Sequence, residues 1–93
     1  MKKCLRITFV AELPKNFLHD TIQKHAHKLN IEGTGQLVSS ENKIKIMACG
    51  EKEDIDSFLD FLHKEATQAE GEDFEVEPFL REKDYRGVFR IIE

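Results

Sequence analysis

Phe9-Val10-Ala11-Glu12-Leu13-Pro14-Lys15-Asn16-Phe17-Leu18-His19-Asp20 joins a strand to a helix. Upstream, residues 4–10 alternate. Leu5, Ile7 and Phe9 share one face, and Cys4, Arg6, Thr8 and Val10 share the other. Period two with β-branched and aromatic residues reads as a strand with one buried face. Pro14 stops that strand, because it has no N–H for a ladder. Asn16 has the chemistry of a helix N-cap, a side-chain oxygen for an orphan backbone N–H.

Downstream, Leu18, Ile22, Ala26 and Leu29 recur at helical spacing and predict a helix from Phe17 to about Leu29. Asp20 in its first turn and Lys28 in its last both suit the helix dipole. Asn30 and Gly33 mark the exit, and a strand follows over Thr34–Ser39 although Gly35 lies within it. Ser40-Glu41-Asn42 reads as a turn. Lys43–Cys49 is a third strand, with Ile44, Ile46 and Ala48 on one face and Lys45, Met47 and Cys49 on the other. After Gly50 a second helix runs from Glu51 to about Ala66, its stripe formed by Ile55, Phe58, Leu59, Leu62 and Ala66. Thr67–Asp73 reads as a polar loop, Phe74–Phe79 as a fourth strand, Arg81–Arg86 as a charged turn and Gly87–Ile92 as a short last strand.

The order strand, helix, strand, strand, helix, strand implies two helices side by side on one face of an antiparallel sheet. Crossover rules place the first and third strands at its centre. This is the ferredoxin-like α+β sandwich, βαββαβ plus a short terminal strand. The expected core is Leu5, Ile7, Phe9, Leu18, Ile22, Ile44, Ile46, Ile55, Phe58, Leu59 and Leu62. Residues 1–93 are expected to form a single domain.

Composition narrows the function. The 93 residues are 40% hydrophobic and 34% charged, the mix of a globular domain. No apolar run approaches the ~20 residues that span a bilayer. The net charge of −4 offers no footprint for nucleic acid or anionic lipid. Cys4 and Cys49 are too few for a disulfide framework and lack metal spacing, so a cytoplasmic location is expected. Both fall on the open sheet face, at the same end of adjacent strands. They are expected as close, reduced thiols; the alternative is a pair offset in register.

Several stretches resemble the acylphosphatase family. Lys28-Leu29-Asn30-Ile31-Glu32-Gly33 is similar to that family's helix exit, Lys-Leu-Gly-Leu-x-Gly. Ile44-Lys45-Ile46-Met47-Ala48-Cys49-Gly50 resembles its third strand. Ile55-Asp56-Ser57-Phe58-Leu59-Asp60-Phe61-Leu62 resembles its second helix, and Val88-Phe89-Arg90-Ile91 its closing strand. The resemblance implies a hydrolase of acyl phosphates whose first loop reads Gly-x-Val-Gln-Gly-Val-x-Phe-Arg. In the family, loop N–H groups and the arginine hold the phosphoryl group, and an asparagine on the second strand orients the attacking water.

Counted back from Lys28-Leu29, the matching loop runs from Ala11 to His19 and contains no glycine. Pro14 removes one donor. His19 stands at the arginine position, and Leu37, or Val38 with a different turn placement, at the asparagine position. None of the family's catalytic residues carries over. The expectation is therefore a non-catalytic binding or interaction module with no cofactor. Its partner would be a small anion or a protein, not nucleic acid or membrane, and the chain would be a monomer or weak homodimer. The alternatives are a weak acyl-phosphate hydrolase using His19, or a small-metabolite-sensing regulatory domain of the ACT-like kind.

Lys15, Asn16, Phe17 and His19 form a candidate anion-binding loop, set against the plainer reading of a solvated loop. His25 and His27 resemble a metal pair, but two residues apart on a helix they diverge. Glu70, Glu72, Asp73, Glu75 and Glu77 read as a solvated acidic face without calcium-loop spacing. Cys4, Thr8, Val10, Met47 and Cys49 lie on the open sheet face, which the segment around Phe79, Tyr85 and Phe89 is expected to cover. RNA-binding domains of this topology carry aromatics on the third strand, and copper chaperones carry Cys-x-x-Cys in the first loop. Neither feature occurs here.

Overall fold

The computed structural model describes residues 2–14, 16–38, 40–80 and 86–92. Strand β1 spans Lys2–Val10. Helix α1 opens with π-type turns over Leu18–Gln23 and continues as an α-helix over Lys24–Lys28. Strand β2 covers Glu32–Val38, β3 Lys43–Glu51, helix α2 Lys52–Gln68, β4 Glu72–Pro78 and β5 Phe89–Ile92. The charged turn expected over Arg81–Arg86 lies outside the described residues except for Arg86.

The strands form one sheet in the order β4-β1-β3-β2-β5. β1 and β3 are neighbours, and both helices pack on one face, as the ferredoxin-like reading requires. The pairings β4–β1, β1–β3 and β3–β2 are antiparallel, but β5 runs parallel to β2, so the sheet is mixed. The physical reason is connectivity: β4 lies at one edge, and the chain returns to the far edge running opposite to β4. Three contacts fix β5 there. The Gly33 N–H donates to the Val88 carbonyl at 3.0 Å. The Gln23 amide donates to the Phe89 carbonyl at 3.0 Å. The Gly87 N–H donates to Glu32 Oε2 at 2.7 Å.

Ten of the expected core residues are buried, and Leu59 packs against them half-buried. The core also takes in Ile31, Ala48 and Phe89. Phe89 corrects an expectation: it packs beneath the helices, edge-on to Phe58 at 5.9 Å, and does not cover the open face. Tyr85 lies outside the described residues. Phe79 runs beside β1, its N–H donating to the Cys4 carbonyl at 3.2 Å.

β2 starts two residues earlier than its composition suggests, and its glycines explain both the strand and its weak sequence signal. Gly33 has φ 143°, and a Cβ there would sit 1.8 Å from the Met47 carbonyl oxygen of β3. At Gly35 a Cβ would meet the Phe89 ring at 3.3 Å. The glycines let a neighbouring backbone and an aromatic ring approach.

Both helices end in the same way. After α1, Asn30 takes φ 56°, its N–H donates to the His27 carbonyl, and the Ile31 N–H reaches Ala26 at 2.9 Å. After α2, Glu70 takes φ 55°, its N–H donates to Thr67, and the Gly71 N–H reaches Ala66 at 2.7 Å. These are Schellman closures, which satisfy the last carbonyls of each helix. Asp73, φ 55°, sits where the register of β4 against β1 slips between Thr8 and Val10, at a β-bulge.

Cys4 and Cys49 are direct cross-strand partners joined in a disulfide, where reduced thiols were expected. Nearby, the Asp56 carboxylate accepts from Lys3 at 2.7 Å and Lys52 at 3.1 Å, tying the start of β1 to α2. Those hydrogen bonds hold the Asp56 carboxyl below its usual range. No helix among the described residues is long and apolar enough to cross a membrane.

Candidate functional site

The β1–α1 loop is held from both ends. The Ala11 N–H donates to the Asn42 carbonyl at 3.0 Å, joining the loop to the β2–β3 turn, and Ala11 itself is buried. Leu13 and Phe17 are half-buried against the core. The Phe17 N–H donates to the Pro14 carbonyl at 3.0 Å, closing a turn, and the Asp20 N–H donates to the Asn16 carbonyl at 2.8 Å.

These bonds spend donors that an anion would need. Ala11, Phe17 and Asp20 have committed their N–H groups, and Pro14 has none. The N-cap expected at Asn16 is also corrected. Asn16 supplies its backbone carbonyl, while the capping position falls on Phe17, which has helical torsions (φ −59°, ψ −44°) and no side-chain cap. The Pro14–Phe17 turn turns the chain into helical geometry before a side chain is needed to satisfy the first donors.

Of the four candidate anion-loop residues, Lys15 lies outside the described residues. Asn16 and His19 are exposed, and Phe17 is turned into the core edge. Leu37 packs half-buried against the core opposite Ile44, and Val38 pairs with Lys43. Neither side chain can hold a water by hydrogen bonding.

A comparison with family models matches residues 16–91 to Acylphosphatase. The chain belongs to the acylphosphatase family. The match starts at Asn16 and so leaves out β1 and the loop up to Pro14.

Solved acylphosphatases share the fold. The enzyme from Coxiella burnetii superposes with a TM-score of 0.76 at 21% identity, covering 98% of this chain and 93% of that one. Acylphosphatase from Bacillus subtilis gives 0.73 at 19% identity over the whole of both chains. HypF from T. kodakarensis gives 0.77 at 18% identity, covering 98% of this chain but 12% of its own. At these identities the likeness is one of fold. The comparison with curated proteins finds no match.

The two histidines of α1 separate as expected from their spacing. His25 turns inward and stacks on Phe61 of α2, ring centroids 3.9 Å apart and planes within 7°. His27 is exposed. Burial pushes the His25 pKa below its ordinary 6.5; Lys28 lowers it further and Glu65 partly opposes this. Among the described residues no three His, Cys, Asp or Glu side chains gather as a metal site would require.

Lys24, His25 and Lys28 with Phe61 form a lined groove that the sequence reading missed. Its signal was present in the i,i+4 spacing of Lys24 and Lys28, but nothing in α1 alone points to an aromatic on α2.

The acidic residues in and before β4 take up structural positions. Glu70 closes α2 and Asp73 forms the bulge. Glu77 pairs with Arg6 across β1 at 2.5 Å, and Glu75 is exposed on the same face.

Proposed function

We propose that this acylphosphatase-family domain is a binding or interaction module that does not hydrolyse acyl phosphates. The observation that carries the reading is the pair His19 and Leu37 at the positions where the resemblance puts the family's arginine and asparagine. A guanidinium brings a permanent charge and a fork of donors to a phosphoryl group. An imidazole has two ring nitrogens and no such fork of donors. The committed N–H groups of Ala11 and Phe17 support the same reading.

Loss of one transition-state donor commonly costs ~10²–10³ in rate, and two functional positions differ here. The module would act as a single domain, with a small anion or a protein as its partner. Hydrolysis of benzoyl phosphate tests the proposal. Wild type is expected at background, and His19→Arg with Leu37→Asn above it. Robust wild-type turnover that His19→Ala abolishes would establish the weak-hydrolase alternative and overturn the binding-module reading.

A further inference from the structure

We infer that the groove between α1 and Phe61 binds a small anion bearing a planar ring, the chemistry of an aryl phosphate. The groove is about 600 Å³ and is lined by Asp20, Thr21, Lys24, His25, His27 and Lys28 of α1 and by Phe61 of α2. That is within the size range of small-molecule sites. It adjoins the β1–α1 loop only at Asp20, and the inference holds whether or not the domain hydrolyses acyl phosphates.

Charge is the first argument. The chain carries a net −4, yet Lys24 and Lys28 line this groove with one acidic residue, Asp20, and the Glu65 carboxylate acts on His25 from α2. Lys24 and Lys28 are exposed and lie one helical turn apart. Neither makes an ion pair with a described residue. Two ammonium groups on one face can share an anion as point charges, and the acidic protein around them gives little reason for such a cluster.

Shape is the second. His25 and Phe61 stack nearly parallel at 3.9 Å, and Phe58 lies beside the pair, 6.4 Å from the His25 ring and 6.3 Å from the Phe61 ring. Phe58 is fully buried and meets Phe89 of β5, so the stacked pair rests beside a ring anchored in the core. The half-buried His25 and Phe61 therefore give the groove an aromatic wall, which suits a planar ring. His25 is held toward its neutral form by burial and by Lys28, with Glu65 opposing. It lines the groove with an aromatic ring without adding to the charge.

Titration of the isotope-labelled protein with phenyl phosphate, followed by amide NMR shifts, tests this. Saturable shifts are expected across Asp20–Lys28 and around Phe61. Lys24→Ala with Lys28→Ala, both on the exposed face, should weaken binding at least tenfold while the rest of the spectrum is kept. Added salt should weaken it too, and inorganic phosphate, lacking the ring, should bind more weakly than phenyl phosphate. Shifts centred on Ala11–His19, unchanged affinity in the double variant, equal binding of inorganic phosphate, or no saturable shift at millimolar ligand would each overturn the inference. The benzoyl phosphate assay reads a different site, so either result there leaves this test standing.

Discussion

Cys4 and Cys49 face each other across the β1–β3 pair with Cα atoms 4.1 Å apart, joined in a disulfide. Cys4 is half-buried and Cys49 is 2% exposed, although both lie on the open face of the sheet. The bond clips the two inner strands that carry Ile7, Phe9, Ile44 and Ile46 into the core.

Breaking that clip should cost stability chiefly through the unfolded chain. The cysteines are 45 residues apart, and the chain-entropy model assigns a closed loop of this length about 4 kcal/mol. Denaturant midpoints measured with and without reductant should differ accordingly. Cys4→Ala with Cys49→Ala should match the reduced wild type and show no response to reductant. Equal midpoints for oxidised and reduced wild type would show that the clip adds nothing to folding.

The legible parts of this fold are those set by periodicity. The alternation of Leu5, Ile7 and Phe9 and the stripe of Ile55, Phe58, Leu62 and Ala66 placed β1 and α2 on the correct faces, because burial of one face is the dominant energy term. The register of Cys4 on Cys49 was partly legible, since antiparallel neighbours bring the end of one strand to the start of the other. What could not be read depends on distant partners. Gly33 and Gly35 look like strand breakers until Met47 and Phe89 are placed beside them. Phe89 falls in the core because β5 enters parallel to β2, an outcome of the return path from β4 and not of its own sequence. At the candidate site, the replacements at His19 and Leu37 were visible in the sequence. The pinning of the Ala11 and Phe17 N–H groups was not, because it needs the Asn42 carbonyl and the Pro14 turn.

Glu70 stores removable strain. It closes α2 at φ 55°, the left-handed region that glycine enters without a Cβ penalty. Its side chain is exposed. Glu70→Gly should therefore stabilise the protein by about 1 kcal/mol, less the added freedom of glycine in the unfolded chain. Asn30→Gly, at the equivalent position after α1, should gain less, because asparagine already tolerates this conformation. Thermal melts of the two variants against wild type measure the difference. A Glu70→Gly variant less stable than wild type would show that unfolded-chain entropy outweighs the strain.

His25 should make stability depend on mildly acidic pH. Burial against Phe61, with Lys28 adding to it and Glu65 opposing, holds its folded pKa below the ordinary 6.5. Between the folded and unfolded values the unfolded chain binds more protons than the folded one. By linkage, stability then rises with pH across that interval. The contribution is fully present above 6.5, declines as pH falls through 6.5 toward the folded pKa, and is lost below it. His25→Phe keeps an aromatic ring against Phe61 and removes the titrating group. Its denaturant midpoint should be flatter than that of wild type from neutral pH down through this interval. The His25 ring protons, followed by NMR, should report the midpoint directly. A His25 midpoint at or above 6.5, or parallel pH profiles for the two proteins, would show that the stacked imidazole takes up its proton without cost to the fold.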